Sequence, residues 1–185
     1  MIKNPCKCKR YKHNTPSQIM CVEIIPRLWL GDRDDSAHFT GSSVVSIGCN
    51  PYGNYDNKLK VQMRDSTNSH IENHLEPAMH FIHTALRTGN PVLVHCKSGV
   101  NRSPAFVIAY LMLFEDYSVE DAITLVQQKR PVAKIQPHYL AGIERYRSNA
   151  VSTLDISLSS SASSASSETS SSASSTVIDI CYCCI

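Results

Sequence analysis

The sequence predicts an α/β fold, a central and mostly parallel sheet flanked by helices. Short strand-like apolar runs alternate along the chain with segments of helical period, the pattern of a layered α/β domain. One run, PVLVH at 91–95, is apolar without a break, as expected of a central strand covered on both faces. The body holding these runs, roughly residues 21–148, is long enough to bury a core without disulfide staples.

The elements follow in order. IIPRLWLG (24–31) reads as a short strand entering a turn, and VVSIG (44–48) and KLKVQM (58–63) as two more, separated by the turn-rich NPYGNYDN. In SHIENHLEPAMHFIHTALRTG (69–89), Ile71, Leu75, Ala78, Ile82 and Leu86 fall on one stripe at about 100° per residue, an amphipathic helix ending at Gly89. Pro77 either kinks it or opens its second half. After the strand 91–95, SPAFVIAYLMLF (103–114) reads as a helix with Ser103 at the N-cap and Pro104 at the first helical position. It is apolar almost all round, hence buried. SVED (118–121) opens a further helix in the manner of a capping box, and Arg130-Pro131 stops it. A last helix spans roughly 137–148.

Outside this body the composition changes. Residues 1–20 form a basic tail whose KNPCKCKRYK run carries much of the cationic excess. From Ser157 to Ser175 serine fills 13 of 19 positions, too little apolar surface to offset the entropy of ordering. Residues 149–185 therefore read as a disordered Ser-rich tail ending in a Cys-rich segment. Residues 1–150 hold all 18 Lys and Arg against 13 Asp and Glu, a modest excess that suits an anionic ligand but not nucleic-acid binding. No stretch approaches the ~20 apolar residues that span a bilayer. The eight cysteines are irregularly spaced and follow no secretory apolar region, which points to a reducing, intracellular compartment, cytoplasm or nucleus.

VLVHCKSGVNRSP (92–104) concentrates the chemistry. A buried strand ends in His95-Cys96, a loop of five residues follows, and a helix begins near Ser103. Main-chain N–H groups of Lys97, Ser98, Gly99, Val100 and Asn101, with the helix dipole, make an anion trap. Gly99 adopts a conformation other residues resist, and Arg102 offers a planar fork for two phosphate oxygens. A cysteine in such a field ionises well below its usual range. Cys96 is then a thiolate nucleophile at the floor of a phosphate-shaped cup.

These residues, 95–103, resemble the HCxxGxxRS signature of cysteine-dependent protein phosphatases, the dual-specificity branch of the protein tyrosine phosphatase superfamily. LWLGD at 28–32, AYLM at 109–112 and the QKRP turn with its following helix extend the resemblance over roughly 21–148. Asn101 stands where serine is usual, and Pro137-His138 replaces a more typical Pro-Asn. The resemblance implies that Cys96 attacks phosphorus, Arg102 binds the phosphoryl oxygens, Ser103 eases departure of the thiolate and His95 tunes Cys96. Asp65, in VQMRDS after a strand, matches the general acid; a bare N-cap is its alternative. No metal or cofactor is implied. The implied substrates are phosphorylated proteins, kinases among them, carrying phosphotyrosine or phosphoserine/phosphothreonine.

Other functions remain open at this point. RNA 5′-triphosphatases and phosphoinositide phosphatases use a similar loop, and a phosphoprotein-binding module would keep the fold without the chemistry. His70, His74, His80 and His83 do not converge on the helical wheel and read as surface residues, and Cys6 and Cys8 lack a second pair at zinc-finger spacing. Cys49, closing the strand VVSIGCN, could trap an oxidised Cys96 as a disulfide; a small buried apolar residue is the alternative. The terminal TVIDICYCCI does not fit a prenylation box, but Cys181, Cys183 and Cys184 could accept acyl chains and hold the protein at a membrane.

Overall fold

The computed structural model describes residues 20–159. The strands are β1 (Val22–Ile25), β2 (Leu28–Gly31), β3 (Ser43–Ile47), β4 (Asn57–Val61) and β5 (Val92–His95). The helices are α1 (Glu72–Arg87), α2 (Arg102–Phe114), α3 (Val119–Lys129) and α4 (Pro137–Ser159), with a 3₁₀ turn at Asp35–Ala37. The strands form one sheet in the order β1-β2-β5-β3-β4. β5 runs parallel to both neighbours, β3 and β4 are also parallel, and only β1 is antiparallel. The unbroken apolar run thus takes the central place expected of it, with Val92, Leu93, Val94 and His95 all buried.

The segment 24–31, expected as one strand, is a hairpin. Pro26 and Arg27 turn the chain between β1 and β2. Proline's fixed φ suits the first turn position. Arg27 takes φ +70, and its backbone N–H donates to Glu23 Oε1 at 2.7 Å, which fastens the turn.

Alternation along the strands divides the core. Leu28, Leu30, Val45, Ile47, Val92 and Val94 join the helices in the main core. Trp29, Val44 and Leu93 point to the opposite face, where Phe39 and Tyr55 cover them. Period-2 alternation requires this split, so both faces are dry although the helices contribute to only one core. Each fully buried aliphatic side chain contributes roughly 1.5–3 kcal/mol, and α2 alone is buried at every residue from Arg102 to Met112.

The predicted stripe of α1 is observed: Leu75, Ala78, Ile82 and Leu86 are buried, joined by Met79 and Ala85. The helix runs through Pro77 without interruption. α3 starts at its predicted cap, Ser118 Oγ accepting the Asp121 N–H at 3.0 Å. Two boundaries differ from expectation. α2 begins at Arg102 rather than after Ser103, with Asn101 at the N-cap position; Pro104 still lies in the first turn, where its missing N–H has no helical acceptor. α4 continues to Ser159 rather than ending near 148, since no Gly or Pro interrupts the sequence after Gly142. Of the predicted tails, 1–20 and 149–185, residues 149–159 are helical rather than disordered, and 1–19 and 160–185 lie outside the described residues.

Candidate active site

Four parallel strands bring their carboxyl ends to one edge of the sheet, the place where open α/β folds bind ligands. β5 delivers Cys96, β2 delivers Asp32, β3 delivers Gly48 and Cys49, and β4 leads through Met63 to Asp65.

Cys96 sits at the bottom, 1% exposed. The Ser103 hydroxyl donates to its Sγ at 3.3 Å. Burial pushes the thiol up. Hydrogen bonds from the Ser103 hydroxyl and from the N–H groups of Ser103, Ser98 and Gly99 outweigh burial and hold it below its ordinary value. Donors aimed at an anion are stronger than neutral pairs, which decides the sign. The expected N-cap role of Ser103 is therefore corrected: its oxygen serves the sulfur.

His95 is wholly buried. Its Nε2 faces Ser46 Oγ at 2.8 Å, and its Nδ1 faces the Cys96 carbonyl at 3.4 Å. A carbonyl only accepts, so Nδ1 carries the proton and Nε2 accepts the Ser46 hydroxyl. Burial lowers the imidazole to about 4, against the bond to Cys96 that favours charge. His95 is a neutral group at pH 7 that orients the Cys96 backbone rather than a cation beside the sulfur.

Arg102, 7% exposed, is held from behind. Its Nη1 donates to Met63 O at 3.2 Å and lies 3.5 Å from Ile47 O. Gly48 makes room for it, since a Cβ there would run into Arg102 Nη1. On the open side Nε lies 3.5 Å from Asp65 Oδ2 and has no hydrogen-bond partner among the described residues. The guanidinium thus keeps donor capacity for an anion.

Asp65 does not cap α1, whose N-cap position is Ile71. Its Oδ1 accepts Asn101 Nδ2–H at 2.8 Å and faces the Tyr139 hydroxyl at 3.4 Å. Asn101 Oδ1 in turn accepts the Gln136 N–H at 3.0 Å. Asn101 therefore turns its side chain toward Asp65 and the loop after β4. The side chains of Lys97 and Ser98 are exposed, Gly99 is buried and Val100 is half-buried; Val100 O accepts the Lys134 N–H at 2.7 Å. His138 Nε2 is buried without a hydrogen-bond partner among the described residues.

Arg130 escaped the sequence reading as a site residue. Only 1% exposed, it donates from Nε to Gly99 O at 3.0 Å and pairs with Asp32 at 3.6 Å and Asp35 at 3.7 Å. Gly99 has φ +64, and a Cβ there would strike Arg130 Nη2 and lie 2.8 Å from Gly31 O. Arg130 supports the loop from beneath. The QKRP motif was its sequence signal, but burial of the arginine was not visible there.

Among the described residues no group of three or more His, Cys, Asp or Glu side chains forms a metal-binding cluster. His70 and His80 are exposed, whereas His74 is half-buried. His83, expected on the surface, is half-buried and stacks on Phe114 with ring centroids 4.6 Å apart, because α2 packs against its helix. Cys49 Sγ lies 3.8 Å from His95 Nδ1.

Cys96 thus sits among hydrogen-bond donors, and Arg102 pairs with Asp65 at the same edge of the sheet, an arrangement suited to holding an anion. The family model for the dual specificity phosphatase catalytic domain matches residues 44–149, and the chain belongs to that family. Rat Dual specificity protein phosphatase 5 is 30% identical over 139 residues, covering 69% of this chain and 35% of that protein. The Dictyostelium discoideum MAP kinase phosphatase with leucine-rich repeats protein 3 is 29% identical over 150 residues, 75% of this chain and 17% of its own. The chain thus spans about a third and about a sixth of these relatives. The crystal structure of human DUSP28 is 27% identical with a TM-score of 0.65, covering 71% of this chain and 99% of that one.

Proposed function

We propose that the chain is a protein phosphatase of dual specificity, hydrolysing phosphotyrosine and phosphoserine or phosphothreonine through a cysteinyl-phosphate intermediate. One observation carries the reading: Cys96 Sγ accepts the Ser103 hydroxyl and three main-chain N–H groups, at the same sheet edge where Arg102 pairs with Asp65. Anionic sulfur at the base of an anion cradle is a nucleophile aimed at phosphorus.

The chain's residues supply each step. The Cys96 electron pair forms the S–P bond while the P–O bond to the substrate breaks. Arg102 and the loop N–H groups take up the phosphoryl charge. Protonated Asp65 gives its proton to the departing oxygen, work typically worth about 10²–10⁴-fold. Water then attacks phosphorus, Asp65 accepts its proton, and the S–P pair returns to Cys96 as thiolate, stabilised by Ser103. His95 fixes the strand end that presents the sulfur.

The test is hydrolysis of an aryl phosphate and of phosphopeptides with chelator present. Expected are turnover without metal, inhibition by vanadate and no activity in Cys96→Ser. Exclusive turnover of triphosphorylated RNA or phosphoinositides would replace the protein-phosphatase reading. Tight phosphopeptide binding without turnover would make the chain a binding module. Kinases are candidate substrates, supported by the name of the Dictyostelium relative. We place the protein inside the cell, held reversibly at membranes by acyl chains on Cys181, Cys183 or Cys184, which lie outside the described residues. Fractionation of the full-length and tail-deleted chains tests that placement; identical soluble distributions count against it.

A further inference from the structure

The two carboxylate oxygens of Asp65 meet different partners. Oδ2 lies 3.5 Å from Arg102 Nε, on the side of the cup. Oδ1 accepts Asn101 Nδ2–H at 2.8 Å and faces the Tyr139 hydroxyl at 3.4 Å. The orientation of the Asn101 amide follows from its neighbours. Its Oδ1 accepts the Gln136 backbone N–H at 3.0 Å, so the NH₂ end must face Asp65. Tyr139 has the same direction imposed on it, because a carboxylate oxygen only accepts.

A neutral carboxyl carries its proton on one oxygen. Oδ1 faces two donors, and a proton there would displace one of them: the Asn101 amide cannot reverse, and the Tyr139 hydroxyl would have to turn round to accept. At Oδ2 the donor in reach, Arg102 Nε, stands 3.5 Å away without completing a hydrogen bond, so that oxygen keeps room for the proton. We propose that Asn101 and Tyr139 are positioning residues that hold the proton of the general acid on Oδ2, the oxygen turned toward Arg102 and the phosphate; the proposal rests on the phosphatase reading above. Neither residue touches the reacting atoms.

The same amide ties three segments together. Asn101 is 6% exposed and bridges the acid loop after β4, the phosphate loop and the turn before α4. The Lys134 N–H bond to Val100 O, 2.7 Å, fastens that turn to the same loop. A serine at 101 would stop one heavy atom short of the asparagine's two partners. His138 contributes no bond to Asp65; the next residue, Tyr139, does so through its hydroxyl, with its ring fully buried.

The experiment compares p-nitrophenyl phosphate, whose leaving group needs little protonation, with phenyl phosphate, whose leaving group needs it. Asn101→Ala is expected to lower kcat on phenyl phosphate by about tenfold or more while changing p-nitrophenyl phosphate by less than about threefold. Tyr139→Phe, which keeps the buried ring, is expected to shift the same ratio in the same direction. In an Asp65→Asn background, Asn101→Ala adds no further loss, as required of a residue acting through Asp65. Amide hydrogen exchange at Gln136 and at residues 64–69 quickens in Asn101→Ala, whereas the pH dependence of Cys96 alkylation by iodoacetate stays the same. Equal losses on both substrates, multiplying losses in the double variant, or unchanged exchange at Gln136 overturns the proposal. A wild type that hydrolyses neither substrate overturns the phosphatase reading and with it the proton's role, whereas any of those three outcomes with an active wild type overturns the positioning role alone.

Discussion

The Ser103 hydroxyl stands 3.3 Å from Cys96 Sγ and donates to it, although a serine at the mouth of a helix ordinarily caps that helix. Hydrogen bonds to charged groups are worth about 1.5–3 kcal/mol, and one pKa unit corresponds to about 1.4 kcal/mol. Ser103→Ala should therefore raise the pH at which iodoacetate alkylates Cys96 by about one to two units. The thiolate also leaves phosphorus less readily, so rapid-quench kinetics should show the phosphoenzyme accumulating. An unchanged alkylation profile would mean that the main-chain donors alone hold the anion.

In the proposed mechanism Asp65 protonates the leaving oxygen and does not bind the phosphate. Asp65→Asn should cost about 10²–10⁴-fold on phenyl phosphate and much less on p-nitrophenyl phosphate. Equal loss on good and poor leaving groups would remove Asp65 as the acid.

Asp35 links the site to the pH dependence of stability. Burial, the dominant influence, pushes its carboxyl up from 3.8 to about 6, against the Asp32 N–H bond and the nearby Arg130. Because the folded value lies above the unfolded one, the folded state holds the proton more tightly. The associated stabilisation is complete below about pH 4 and is lost as pH rises through about 6. A difference of this size corresponds to ~3 kcal/mol at most. Thermal midpoints of the wild type should fall from about pH 4.5 to about pH 7 more steeply than those of Asp35→Asn. Parallel curves would show that the Arg130 ion pair cancels the burial cost.

Cys49 stands beside His95, the residue preceding Cys96, and its thiol is pushed up by burial and then by the Cys96 charge. Peroxide converts the Cys96 thiolate to a sulfenic acid; attack by Cys49 forms the S–S bond and releases water. Peptide mapping after mild peroxide should find Cys49 linked to Cys96, with activity restored by dithiothreitol and lost irreversibly in Cys49→Ser. No linked peptide at any peroxide dose would end the idea.

Several elements were legible because their causes are local. The unbroken apolar run identified β5, the one-sided stripe identified α1, and Ser118 three residues before Asp121 marked the start of α3. The hairpin at Pro26-Arg27 was missed despite a signal in the proline, because two four-residue strands back to back resemble one longer strand. The N-cap assigned to Ser103 failed because the helix starts two residues earlier, at Arg102, with Asn101 at the cap position.

Local order along the chain was enough to determine the α/β class, the central strand, the thiol at its end and the arginine six residues on. Each depends on periodicity or on spacing within a few residues. Tertiary structure alone decided what the loop leans on: Arg130 beneath Gly99, Met63 behind Arg102, and Asn101 with Tyr139 around Asp65. Those partners lie 31 to 74 residues apart in the chain. Only the parallel strand order brings them to one edge, where burial turns ordinary polar side chains into fixed donors and acceptors.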